Sequence, residues 1–116
     1  MRRKIPPLQT LVCFDAAARH ESYTRAAQEL ALTQSAVSRQ IGTLEAFLGV
    51  ALFRRTRHGV ALTASGAAYA RQTAKRLEAM ERDTLDAMAH QGEGGSLSLA
   101  AVPTFATRWL MPRLKG

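Results

Sequence analysis

Residues 22–48 read SYTRAAQELALTQSAVSRQIGTLEAFL, and the fold turns on this stretch. It holds two helical patterns joined by a very tight turn. The first covers Tyr23–Leu30, with Ala26, Ala27 and Leu30 as a small apolar face and Ser22 or Thr24 as N-cap. The second covers Gln34–Leu48, with Thr33 placed to cap it. On that second helix Val37, Ile41, Leu44 and Leu48 recur at helical spacing and fall within one narrow arc. Such an arc must face a core. Ser35, Arg39, Gly42 and Ala46 then come out on the opposite side, with Gln34 and Ser38 on one flank. A helix that is apolar behind and small or hydrogen-bonding in front suits a helix-turn-helix. It can enter a groove closely while the preceding helix fixes its back.

Ahead of the pair, Pro6 and Pro7 suit the first turn of an earlier helix. Leu8, Leu11, Val12, Phe14 and the alanines at 16–18 carry that helix to about His20, where it packs behind the pair. Arg2, Arg3 and Lys4 before it read as a solvated end. After the second helix Gly49 is a plausible left-handed cap. Residues 51–53 and 60–62 are short apolar strands, with Arg54, Arg55, Thr56, Arg57, His58 and Gly59 between them. Two strands joined by a basic tip make a wing, and its arginines read either as phosphate contacts or as charges that protect a sheet edge.

Thr63 caps the longest helical pattern, Ala64–Gln91, which at 1.5 Å per residue is roughly 40 Å long. Ala67, Ala70, Ala74, Leu77, Leu85 and Met88 form a stripe along it, interrupted by Glu81, with Tyr69 and Met80 beside it. Glu78 and Arg82 stand at i, i+4 on another face. So long an apolar stripe needs a second chain, and alanines permit close approach. Beyond it Gly92, Gly94, Gly95 and Ser96 read as a hinge rather than a phosphate loop. Leu97, Leu99 and Ala101 then alternate as a strand, with Phe105, Trp109 and Leu110 next at helical spacing.

Charge separates these parts. The 116 residues carry 16 Lys and Arg against 9 Asp and Glu, a net charge of +7. Residues 1–62 hold nine basic and four acidic side chains, residues 63–91 four of each, and residues 92–116 three and one. The excess sits with the helix-turn-helix and wing, which points to a polyanionic partner. His20, His58 and His90 are scattered and Cys13 stands alone, so neither a metal site, a disulfide nor a catalytic constellation is expected. No enzyme activity and no cofactor are expected. The basic start lacks the apolar region of a signal peptide, and no stretch is apolar enough to span a membrane, so the cytoplasm is the expected compartment.

The chain, above all the run from residue 22 to Gly66, resembles the amino-terminal segment of LysR-type transcriptional regulators, and the resemblance covers essentially its whole length. Phe14, Ala26, Ala27, Leu30, Thr33, Gln34, Ser35, Ser38, Arg39, Gln40, Ile41, Leu44, Glu45, Leu48, Gly49, Leu52, Phe53, Arg55, Leu62, Thr63 and Gly66 carry the resemblance. It implies a mainly α fold: a winged helix-turn-helix with a two-stranded wing, followed by a long dimerisation helix. It also implies three parts: a DNA-binding domain over 1–62, a linker helix over 63–91, and over 92–116 a hinge and the start of an α/β effector-binding domain. Roughly 200 residues would complete such a domain, so a fragment of a longer protein is expected. In the family the linker helix pairs antiparallel with its mate, the wing reaches the minor groove, and the loop matching Thr104 helps bind an inducer.

Duplex DNA is therefore the expected partner, and a homodimer through the linker helix the expected assembly. A tetramer and a small-molecule effector belong to the full-length form, with RNA polymerase a further candidate partner. On DNA, Arg39 suits guanine O6 and N7, and Gln34 suits adenine or a thymine methyl. Ser35 and Ser38 are short donors for phosphates or bases, and Thr33 a cap that can also make a contact. Arg54, Arg55 and Arg57 suit the backbone, and His58 the minor groove. Gly42 departs from the long polar or basic side chain that many members carry there. Two other readings stand beside this one: an interaction module built on the long helix, and a winged-helix repressor with no effector domain.

Overall fold

The computed structural model describes residues 3–91. Arg2, the hinge and the domain start expected over 92–116, and Thr104 with them, lie outside the described residues. Six elements run in order: α1 (Leu8–His20), α2 (Tyr23–Leu30), α3 (Gln34–Leu48), β1 (Phe53–Thr56), β2 (Gly59–Leu62) and α4 (Ala64–Gln91).

Each helix of the trio α1–α3 is delimited by local chemistry. Pro7 stands just outside α1 rather than in its first turn, and Thr10 satisfies the end: its hydroxyl and its backbone N–H both donate to the Pro7 carbonyl, at 2.6 and 3.0 Å. Leu8, the first residue of the helix, is exposed. Ser22, not Thr24, caps α2 by accepting from the Arg25 N–H at 3.1 Å. That helix stops at Ala31, whose φ of 58° is left-handed. Leu32 N–H donates to Ala27 O at 2.9 Å and Ala31 N–H to Gln28 O at 3.4 Å, the paired closure of a Schellman turn. A left-handed alanine costs about 1–2 kcal/mol, which the turn bears in order to redirect the chain between α2 and α3 within three residues. Thr33 then caps α3 by accepting from Ala36 N–H at 3.0 Å, and Gly49, at φ 78°, ends it as expected.

The core forms where α1, α2 and α3 meet. Phe14, Ala16 and Ala17 from α1, Ala26 from α2, and Val37, Ile41 and Leu44 from α3 are fully or almost fully buried. The arc on α3 faces inward, with Leu48 partly buried at its end. Phe14 links the trio to the wing and to the start of α4: its ring meets Phe53 at 5.6 Å in an edge-on arrangement and Tyr69 at 5.7 Å.

The wing differs from expectation in register. Residues 51 and 52 are not strand, and Arg54 and Arg55 lie within β1 rather than between the strands. Phe53 pairs with Leu62, Arg54 with Ala61, Arg55 with Val60 and Thr56 with Gly59, leaving Arg57 and His58 as the turn. One diverted hydrogen bond accounts for the shift. Extending the register would pair Leu52 with Thr63, and Thr63 N–H does donate to Leu52 O at 3.0 Å, but Leu52 N–H turns to the Glu45 carboxylate at 2.7 Å, so only half of that pair forms. Pairing begins one residue later.

Thr63 starts α4, accepting from Gly66 N–H at 2.9 Å while its hydroxyl donates to Ala51 O at 2.7 Å. Gly66 lies against the Leu52 peptide: a Cβ there would sit 2.9 Å from Leu52 C and nearer still to Leu52 O. The chain divides into two compact units, Met1–Lys75 and Arg76–Gly116, and α4 contributes to both. In the first unit Tyr69 and Ala70 pack on the core and Ala74 is exposed, so that part of the expected stripe is divided between the domain's own interior and solvent. In the second, Leu77 and Leu85 are half-buried and Met80 and Met88 exposed. Glu78 and Arg82 make no ion pair with each other.

Candidate nucleic-acid interface

With its aliphatic arc locked into the core, α3 presents its other side outward. Gln34, Ser35 and Arg39 are exposed and Ser38 is half-buried. Gly42, Thr43 and Ala46 continue the exposed surface, and the Thr43 hydroxyl folds back to donate to Arg39 O at 3.1 Å. Gln34 to Arg39 spans about 7.5 Å of helix axis at 1.5 Å per residue. Thr33, also exposed, already uses its oxygen as the cap, yet its hydroxyl proton remains free to donate.

The wing carries its charge on two faces, because neighbouring strand residues point to opposite sides. Arg55 shares a face with Phe53, whose ring packs edge-on at 5.4 Å against Tyr23 of α2. Arg54 points the other way, so the three arginines do not form one stripe. Arg57 and His58, both exposed, make the tip. Gly59 closes the turn with φ 154°, a conformation other residues adopt with strain.

Two carboxylates that spacing did not single out hold this wing. Glu45 projects from α3 and accepts from the N–H groups of Leu52, at 2.7 Å, and Phe53, at 3.3 Å. Glu21, at the left-handed end of α1, accepts from Leu62 N–H at 3.3 Å. Each strand is therefore strapped to a helix by an acid. Tyr23 senses the arrangement: burial raises its phenol above the usual value, the Glu45 charge raises it further, and the Arg55 charge opposes both.

Electrostatically, the outward arginines are unspent. Among the described residues the ion pairs are confined to one cluster joining α1 to α2. There Arg19 donates to both oxygens of Glu29, at 3.0 and 2.7 Å, with Asp15 at 3.3 Å and His20 on Glu29 at 2.8 Å. The Arg19 hydrogen bonds, then those of His20, hold the Glu29 carboxyl below its usual range. Arg39, Arg54, Arg55 and Arg57 have no carboxylate within ion-pairing distance among the described residues. Arg25, Arg71, Arg76 and Arg82 are likewise unpaired among the described residues, so what sets the four apart is their place on the outward side of α3 and on the wing.

Cys13 is fully buried and burial pushes its thiol up, away from the reactive thiolate. Among the described residues no set of three His, Cys, Asp or Glu side chains could hold a metal, and no helix is long and apolar enough to cross a membrane.

Comparison with known proteins places this geometry. The family described as "Bacterial regulatory helix-turn-helix protein, lysR family" matches residues 8–67. The glycine cleavage system transcriptional activator of Escherichia coli K12 is 45% identical over 116 residues, covering 100% of this chain and 38% of that protein. The HTH-type transcriptional activator AmpR of Pseudomonas aeruginosa is 44% identical over 94% of this chain and 36% of its own length. The chain thus spans a little over a third of these relatives. Among solved structures, the DNA-binding domain of CbnR in complex with DNA superposes with a TM-score of 0.67 at 33% identity, over 73% of this chain and 98% of that one. That of BenM with benA site 1 DNA gives 0.65 at 31%, over 77% and 98%.

Proposed function

Because this chain belongs to the LysR family of bacterial regulatory helix-turn-helix proteins, we propose that it binds duplex DNA and regulates transcription, with α3 in the major groove and the wing on the flanking backbone. The observation that carries this is the division of α3. Val37, Ile41 and Leu44 are shut in the core, while Gln34, Ser35 and Arg39 face out without an internal partner. Arg39 is assigned to a guanine edge and Gln34 to an adenine or a thymine methyl, with Thr33, Ser35 and Ser38 on nearby phosphates or bases. Arg54, Arg55 and Arg57 hold phosphates, and His58 reaches the minor groove. Their separation onto two wing faces suits a wing laid between a backbone strand and the groove beside it.

The longer assembly rests on α4. Ala67, Ala74, Leu77, Leu85 and Met88 are assigned to a homodimer seam, supported by the exposure of Met88 and of Met80 beside it, while Ala70, packed on the domain's own core, can lie only at its edge. A tetramer, an effector bound near Thr104, contact with RNA polymerase and a cytoplasmic location belong to the same reading of the full-length protein.

The test is binding to duplex DNA across a salt series. Affinity is expected to fall steeply between about 50 and 200 mM salt, as counterion release demands. Arg39→Ala should lower discrimination between a selected site and random DNA, whereas Arg55→Ala should weaken both about equally. Equal losses on the two DNAs for Arg39→Ala would remove it from base reading.

A further inference from the structure

A glycine inside a helix ordinarily answers one of two internal demands: a φ that side chains avoid, or a neighbour pressed too close for a Cβ. Gly66 answers the second, lying against the Leu52 peptide. Gly42 answers neither. Its φ is not positive, and a Cβ built there meets nothing within 4 Å. Nothing inside the domain asks for glycine at a position where glycine weakens the helix. The space it leaves opens outward, on the face that Ser35 and Arg39 share.

Its position along α3 says what fills that space. Gly42 lies eight residues after Gln34, about 12 Å along the axis. The major groove is itself about 12 Å wide. A helix entering by its first turns therefore has its base-reading residues near Gln34 and Arg39, and Gly42 near the strand that walls the groove. The flanks keep this spot low. Side chains on a helix lean toward its start, so Arg39 leans away from Gly42, and the side chain leaning over it is that of Ala46, a single methyl.

We propose that Gly42 is a steric determinant of recognition: its bare backbone lets α3 seat against the sugar–phosphate strand of the groove wall, at a depth a side chain would prevent. This rests on the proposal that α3 enters the DNA. Depth set this way acts on every contact that Gln34, Ser35 and Arg39 make, although Gly42 itself carries no hydrogen-bonding side chain.

The experiment compares wild type, Gly42→Ala and Gly42→Leu in the full 116-residue chain. The probe is a duplex enriched from a random-sequence pool by the wild-type chain, and melting temperature is measured alongside. Both variants should melt above wild type, since each is a better helix former. Both should nonetheless bind more weakly, by about threefold for alanine and on the order of 30-fold for leucine, as overfilled contacts do. The salt slope should stay unchanged, because no charge is lost. Wild-type affinity in both variants would overturn the proposal and leave the DNA-binding reading intact, as would tighter binding by leucine. A wild-type chain that enriches no duplex would instead remove the DNA-binding reading, and this proposal with it.

Discussion

Replacing Glu45 should detach the wing from α3 without touching the outward face of either. Its carboxylate is the acceptor for Leu52 N–H at 2.7 Å and Phe53 N–H at 3.3 Å, and both residues are buried. A hydrogen bond to a charged group contributes about 1.5–3 kcal/mol, and a buried donor left without a partner loses a similar amount. Counting the short bond in full and the long one in part, Glu45→Ala should destabilise by about 2–4 kcal/mol. Glu45→Gln retains one carbonyl acceptor and loses only the charge, so about 1–2 kcal/mol is expected. Against a total of about 5–15 kcal/mol for a small domain, either loss is measurable by denaturant unfolding. A second readout is local. The Glu45 charge helps to raise the Tyr23 phenol, so in Glu45→Gln that phenol should titrate at lower pH than in wild type, while burial still holds it above the ordinary value. Tyr23→Phe identifies the signal in an absorbance titration. Losses under about 0.5 kcal/mol in both variants, with an unmoved Tyr23 titration, would refute the strap.

Gly66→Ala should destabilise by about 2–3 kcal/mol, because the new Cβ meets the Leu52 peptide rather than a movable side chain; unfolding at the wild-type midpoint would contradict this. Glu29 contributes stability at pH values above its unfolded range, and that contribution is lost as pH falls through its depressed folded value. Glu29→Gln should therefore be less stable at neutral pH, with a flatter acid limb in a pH series of unfolding curves. Leu85→Glu and Met88→Glu should shift the chain toward monomer in sedimentation at roughly tens of micromolar protein. A wild-type chain that is already monomeric there would remove the seam assigned to α4.

Much of the local structure was legible in the residues because its causes are short-ranged. Thr33 caps α3 and Gly49 ends it through groups within one turn, and the four-then-three spacing of Val37, Ile41 and Leu44 marks a buried arc whatever it packs on. The candidate site was legible for the same reason, since a face opposite a buried arc must point outward. The wing was less so. Apolar residues at 51–53 suggest a strand, yet the Leu52 N–H is taken by Glu45, a partner seven residues back on α3, and the strand starts only at Phe53.

Helical periodicity, capping chemistry and uneven charge therefore determined by themselves that this chain makes a helix-turn-helix with a basic wing and a long helix. Tertiary structure alone decided the ladder register, the opposite faces of Arg54 and Arg55, the acid straps at Glu21 and Glu45, and the Arg19–Glu29 tie between α1 and α2. It also separated two glycines that look alike in the sequence, one pressed against a peptide and one facing open space. The physical reason is range. A helix is specified by neighbours within a turn, whereas a strand edge, a buried carboxylate or a missing Cβ takes its meaning from residues that only folding brings near.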